Sequence, residues 1–326
     1  MSKKILVTGA NGFIAMHIVD ILIKQGHHVR GTIRNLNDSE KVESLKKLGP
    51  IELFQADLLD KEAWNKPCEG VDIVLHVASP LPTAPPSDEN LVIRPAVEGT
   101  LNVFNAALAA NVKRVVMTSS GLCISGYDYK PRTYSEKDWV DISDAKTPYQ
   151  KSKILAERAA WNFVNDRKEK NQECFELAVV IPTFVLGPIL SSSSGASVTR
   201  FLRVFDEKLD KIDEMHAATC DVRDVALAHL KAAFNDDVVG QRNMVVSGNN
   251  LFTIKNWVDI LKEEFGPRGY RFPEVIVNEE KNKSLKHTFY DNSRMRNVLN
   301  IQPTDFKTTI IDMAYSLIQY GLVKKF

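Results

Sequence analysis

Cysteine is scarce: Cys68, Cys123, Cys174 and Cys220 are all that the 326 residues contain, and no two form a Cys-x-x-Cys pair. That scatter speaks against a disulfide framework and against a thiolate zinc site. It leaves free, buried thiols in a reduced, cytoplasmic setting as the expectation, with no metal site read from the chain. Long apolar runs are missing too. None approaches the ~20 residues of a membrane helix, and the N-terminus enters a strand-like segment without a signal-peptide pattern, so no membrane partner is expected. Nor does either sign of charge dominate, since 42 Lys and Arg stand against 41 Asp and Glu. No general field favours nucleic acid, and any phosphate recognition has to be local. Repeats and long low-complexity tracts are absent, apart from a short serine-glycine stretch at 191–195 that reads as a flexible connection.

What is there is ordinary globular material, 44% hydrophobic and 25% charged, in a chain long enough for two domains or for one large domain with an extension. Residues 3–8 read as a buried strand that runs into Gly9-Ala10-Asn11-Gly12-Phe13-Ile14-Ala15, and a helical pattern follows through Ile18, Leu22 and Ile23. Strand, glycine turn and helix form the context of a dinucleotide-binding turn. The glycines let backbone approach a pyrophosphate, and the helix N-terminus offers amide donors. A second strand at 29–33 ends in Arg34, with Lys41 shortly after; a base where NAD-binding folds place an acid points to the extra phosphate of NADP(H). Strands at 51–55 and 71–77 end in Asp57-Leu58 and in Val77-Ala78-Ser79, along the edge where open parallel sheets bind ligands, and Asp57 is read as an acceptor for the adenine amino group. The proline-rich connection 80–86 reads as a loop at the site mouth, and 89–110 as a long helix interrupted at Pro95.

A fifth strand, 114–118, ends in Thr118-Ser119-Ser120, which puts a serine hydroxyl where it can donate to a substrate carbonyl oxygen or, equally, cap a turn. Pro148 then opens a helix on which Tyr149 and Lys153 lie about one turn apart on one face. An ammonium beside a phenol favours the phenolate and lowers the tyrosine pKa, which suits proton transfer at a carbonyl oxygen. The same spacing also occurs on solvated helices. Residues 196–206, 252–265 and 306–322 read as further helices, the last two in a small C-terminal lobe, and His229 reads as structural.

Taken in order, Gly-x-x-Gly-x-x-Ala, Asp57-Leu58, Ser119-Ser120 and Tyr149-x-x-x-Lys153 resemble the extended short-chain dehydrogenase/reductases, the NAD-dependent epimerase/dehydratase superfamily. Within it the chain is most similar to the dihydroflavonol reductase, cinnamoyl-CoA reductase and yeast methylglyoxal-reductase-like branch, through Val29-Arg30-Gly31-Thr32-Ile33-Arg34, His76-Val77-Ala78-Ser79-Pro80, the segment Lys151 to Trp161, and Pro182-Thr183 with Gly187-Pro188. The resemblance implies an α/β, doubly wound parallel Rossmann sheet over about 1–182 and 218–245, with a smaller, discontinuous substrate lobe over about 183–217 and 246–326. It implies NADPH/NADP+ as cofactor, a small-molecule carbonyl substrate, and a monomer or homodimer. It assigns catalysis to Ser120, Tyr149 and Lys153, and cofactor contacts to Gly9, Asn11, Gly12, Phe13, Ile14, Arg34, Lys41, Asp57, Leu58, Val77, Ala78, Ser79, Thr118, Tyr149, Lys153, Pro182, Thr183 and Val185. Two departures are visible: Ala15 stands at the third glycine position, and Ser125 stands where dihydroflavonol reductases carry a substrate-recognising asparagine. A nucleotide-sugar epimerase or dehydratase with bound NAD, and a non-catalytic NADP sensor, are the alternative readings.

Overall fold

The computed structural model describes residues 2–82, 84, 86–192, 195–206 and 208–324; positions 83 and 85 of the proline-rich connection and 193 and 194 of the serine tract thus lie outside the described residues. Seven parallel strands form the central sheet: β1 (Lys4–Val7), β2 (His28–Ile33), β3 (Ile51–Gln55), β4 (Ile73–His76), β5 (Arg114–Thr118), β6 (Glu176–Pro182) and β7 (Arg242–Val245). Their order is β7-β6-β5-β4-β1-β2-β3, so the strand order reverses beside β1. In such sheets the crevice beyond the carboxyl ends at that switch point is the ligand site. Near-continuous apolar runs such as Ile5-Leu6-Val7 and Val115-Val116-Met117 are what a sheet covered on both faces requires, and these residues are all buried.

The helices that matter below are α1 (Phe13–Lys24), α2 (Ser39–Lys46), α3 (Asn90–Ala109), α4 (Pro148–Glu169), α5 (Ala196–Leu202), α6 (Val222–Phe234), α7 (Ile254–Phe265) and α8 (Phe306–Gln319). One face of the sheet is closed by α1 and α6, through Ile18, Leu22, Val225 and Ala226. The opposite face is closed by α3 and α4, through Val103, Phe104, Ala156 and Ala160. A third core joins Leu186, Phe201, Trp257, Phe265, Ile310 and Leu317, where Trp257 stacks on Phe184. The returning segment does not follow that lobe throughout: Tyr290, Met295, Leu299 and Ile301 pack on the sheet layers.

Three local expectations change. Helix α3 runs unbroken through Pro95, which falls in its second turn, where proline removes a single intrahelical donor. The segment expected to be helical from 252 starts instead with two paired strand residues, Phe252–Thr253, because Thr253 is the N-cap, locked with Asn256 in a reciprocal capping box. Helix α5 ends at Leu202 and tightens into a 3-10 turn over Arg203–Phe205.

Candidate active site

The turn after β1 is shaped by one backbone requirement. Gly9 has φ +64°, and a Cβ there would sit 3.1 Å from both Cα and Cβ of Ala78, so the β1 and β4 ends approach as only glycine permits. Gly12 caps α1 without a side-chain hydrogen bond, which leaves the first amides of the helix open to an anion. Ala15 is fully buried, as a small residue pressed between helix and sheet must be. Gly31 on β2 has a related role that spacing does not disclose, since a Cβ there would lie 2.7 Å from that of Ala10.

Two buried histidines brace the strand ends from behind. Thr8 Oγ1 accepts the amides of Val77 and Ala78, each at 3.0 Å, and donates to His76 Nδ1 at 3.0 Å. Thr100 Oγ1 already donates to Ala96 O, so His76 Nε2 supplies the proton in their 3.2 Å contact. On the other side His229 Nδ1 donates to Val225 O at 2.8 Å, which leaves Nε2 to accept from Thr118 Oγ1 at 2.7 Å. Burial pushes His76 down to about 3 and His229 to about 4, so both imidazoles are neutral at physiological pH. His229 is therefore structural, as the sequence reading has it, and fixes the β5 end.

At that end Thr118, Ser120, Tyr149 and Lys153 line one cleft. Thr147 caps α4 by accepting from Gln150 N at 3.1 Å, and Pro148 occupies the first turn, so Tyr149 enters the cleft at the start of the helix. Lys153, one turn on, is buried and donates from Nζ to Thr118 O at 3.1 Å. Burial pushes its pKa down to about 8, opposed by Cys123 and Glu157. Tyr149 differs from expectation. Burial raises its phenol above the usual tyrosine range, and the hydrogen bond with Ser120 is what pulls the other way. Desolvation thus outweighs the neighbouring ammonium, and the group is held as a proton donor.

The two adjacent serines have opposite fates. Ser119 donates to the buried Glu157 carboxylate, away from the reaction, whereas Ser120 pairs with Tyr149 and lines the cleft.

The cleft measures about 1390 Å³, and every predicted cofactor contact but one lies on its wall, from Gly9, Asn11, Gly12, Phe13 and Ile14 through Arg34, Lys41, Leu58, Val77, Ala78 and Ser79 to Pro182, Thr183 and Val185. The exception is Asp57, whose Oδ1 accepts Leu59 N at 2.9 Å in a turn while Oδ2 lies 3.9 Å from Arg34 Nε. Arg34 is largely exposed, and Lys41 Nζ is held by Asp38 at 2.5 Å. Asp38, the α2 N-cap, is legible in hindsight from its position three residues before Lys41. Less accessible to sequence reasoning is the far wall, where Leu122, Tyr127, Tyr129, Met215, Ile254 and Tyr290 come from separate segments. Tyr129 is hydrogen-bonded to the Ala218 backbone and Tyr290 to Ser125, so their phenols are engaged and their rings present an apolar surface. The end of the serine tract also reaches the cleft: Gly195, Ala196 and Ser197 line it, and Ser192 Oγ donates to Glu40 Oε1 of α2 at 2.5 Å.

The model of the NAD dependent epimerase/dehydratase family matches residues 5–247, three-quarters of the chain and all seven sheet strands. The chain belongs to that family. Among its members, cinnamoyl-CoA reductase 1 of Petunia hybrida is 39% identical over 325 residues, 97% of this chain and 92% of that protein. The NADPH-dependent methylglyoxal reductase GRE2 of Saccharomyces cerevisiae is 30% identical over 97% of this chain and 98% of its own. The crystal structure of that yeast methylglyoxal/isovaleraldehyde reductase with NADPH superposes with a TM-score of 0.82, covering 98% of this chain and 99% of that one. Likeness to a UDP-glucose 4-epimerase of Thermotoga maritima, at 20% identity and a TM-score of 0.77, shows the shared family fold alone.

Proposed function

We propose that this protein is an NADPH-dependent reductase of aldehydes or ketones. The observation that carries the reading is the convergence of Ser120, Tyr149 and Lys153 at the β5 end, in a cleft whose other end holds the Gly9–Gly12 turn and the bases Arg34 and Lys41. The residues fit the cofactor: Gly9 and Gly12 keep the cradle free of side chains, the α1 amides receive the pyrophosphate, and Arg34 with Lys41 receives the 2′-phosphate. When bound, NADPH supplies the hydride that converts the carbonyl carbon into a carbinol. Ser120 donates a hydrogen bond to the carbonyl oxygen as negative charge grows on it. Tyr149, kept protonated by its burial, passes its proton to that oxygen, and the alcohol forms. Lys153 is anchored on Thr118 O with its ammonium turned to the same cleft, where it holds the nicotinamide ribose and steadies the tyrosinate that proton transfer leaves.

The wall of Tyr127, Tyr129, Tyr290, Met215 and Ile254 supports a substrate whose carbonyl is carried by a compact apolar or aromatic body. The test is NADPH oxidation over a panel of methylglyoxal, isovaleraldehyde, cinnamaldehyde and simple ketones, with Tyr149→Phe alongside. Turnover in the wild type that falls by about 10²-fold or more in the variant, with NADPH still bound, is the expected result. No turnover of any member by folded, NADPH-binding protein overturns the reading.

A further inference from the structure

Behind the catalytic groups lies a buried ion pair that the chemistry above does not use. Glu157, fully buried one turn beyond Lys153 on α4, accepts from Arg242 of β7 at 2.7 Å (Nε) and 3.3 Å (Nη2). It also accepts from Trp161 Nε1 at 3.2 Å and from the hydroxyl of Ser119. Arg242 is fixed in turn by Glu136 O at 2.7 Å, Asp138 O at 2.6 Å and the face of Trp139, 3.8 Å from the ring centre. Every donor and acceptor of the pair is engaged in one geometry. The strand end that carries Ser120 is thus tied to the catalytic helix at two successive points, Thr118 O to Lys153 and Ser119 Oγ to Glu157.

We propose that Glu157, clamped by Arg242, is a positioning residue for the reaction: through Ser119 it sets the place of Ser120 against Tyr149, and its charge keeps the Lys153 ammonium in its buried site. This rests on the reading of Ser120, Tyr149 and Lys153 as the catalytic groups. The titratable groups facing Lys153 are His76, His229, Cys123 and Glu157. Both histidines are neutral and burial pushes the Cys123 thiol up to about 12, which leaves Glu157 as the anion among them. Its removal therefore lets Lys153 lose its proton at lower pH.

The experiment compares wild type, Tyr149→Phe, Glu157→Gln and Ser119→Ala on the best-reduced aldehyde of the panel, as kcat and KM across pH. Glu157→Gln keeps the side-chain shape and discards the charge; Ser119→Ala removes the tether and leaves the ion pair whole. The expected result is a fall in kcat of about tenfold to a hundredfold in both, the scale of a displaced catalytic group. In Glu157→Gln alone, the alkaline limb of the profile moves down by about one pH unit. A merely structural role would not move that limb. Wild-type kcat and an unmoved limb in folded Glu157→Gln overturn the proposal; should that variant fail to fold, wild-type kcat in Ser119→Ala overturns it. If Tyr149→Phe is silent while the other two match wild type, the positioning role alone fails. If the wild type reduces nothing, the reading of the site fails and takes this role with it.

Discussion

Gly9→Ala tests the cofactor turn at its tightest point. Two separate penalties are visible. The residue has φ +64°, a conformation that costs a residue with a Cβ about 1–2 kcal/mol. The new methyl would then meet Ala78 Cα and Cβ at 3.1 Å, closer than unstrained carbons sit. Because Ala78 is held by its amide on Thr8 Oγ1, it cannot drift away without breaking that bond, and overpacking of this kind costs about 1–3 kcal/mol. The sum, about 2–5 kcal/mol, lowers the unfolding midpoint by several degrees in a chain of this size. It also displaces the turn that approaches the pyrophosphate, so NADPH affinity falls with stability. The two penalties separate in a double-mutant cycle. Ala78→Gly alone costs about 0.5–1 kcal/mol through added backbone freedom. Combined with Gly9→Ala it relieves the clash and leaves the φ penalty, so the pair loses about 1–3 kcal/mol less than the sum of the singles. Chemical denaturation read by tryptophan fluorescence measures all four corners. Strict additivity would refute the steric argument, and a Gly9→Ala protein with wild-type stability would refute both parts.

Other consequences are open to direct measurement. Lys153 titrates near 8 in the folded protein and about 10.5 unfolded, so between those values the unfolded chain binds more protons and this group makes stability rise with pH; below about 8 its charge is a standing cost. Lys153→Met is therefore expected to abolish reduction yet to unfold at a higher temperature than wild type below pH 8, the gain shrinking toward pH 10; a lower midpoint at neutral pH sinks the argument. Arg34→Ala with Lys41→Ala is expected to weaken NADPH binding by about tenfold to a hundredfold, the worth of one or two partly exposed charge-assisted hydrogen bonds, and to leave NADH binding unchanged. Titration of both nucleotides by fluorescence decides it, and equal losses for the two would remove these residues from the 2′-phosphate.

Features of the site that are local in the chain were legible in it. A strand, a glycine turn and a helix are contiguous, and Tyr149 and Lys153 are one helical turn apart, so pattern alone places them. The preference for Ser120 over Ser119 rested on its place before the loop. Its physical basis is that Ser119 is spent on Glu157, and that could not be read, because Glu157 is committed by Arg242, 85 residues away. The pKa of Tyr149 was misjudged for a related reason: spacing reveals the ammonium one turn off, but the sign of the shift is set by burial, which tertiary packing decides. Asp57 looked like an adenine ligand from its position after β3, yet an aspartate can satisfy a turn amide just as well, and here it does.

The same distinction locates substrate choice. The hydride and proton groups sit on β5 and α4, which the family shares, whereas the opposite wall is assembled from the loop with Tyr127 and Tyr129, the short strand His216–Ala217 preceded by Met215, the start of α7 at Ile254, and Tyr290 on the returning segment. Each piece is anchored by a partner outside its own segment, Tyr129 by Ala218, Tyr290 by Ser125, and His216 by Asn282. A substitution at any of these anchors re-aims a wall without touching Ser120, Tyr149 or Lys153. Selectivity among carbonyl compounds can therefore diverge within this family while the reaction stays the same, and that is why the chemistry is readable from the chain and the substrate is not.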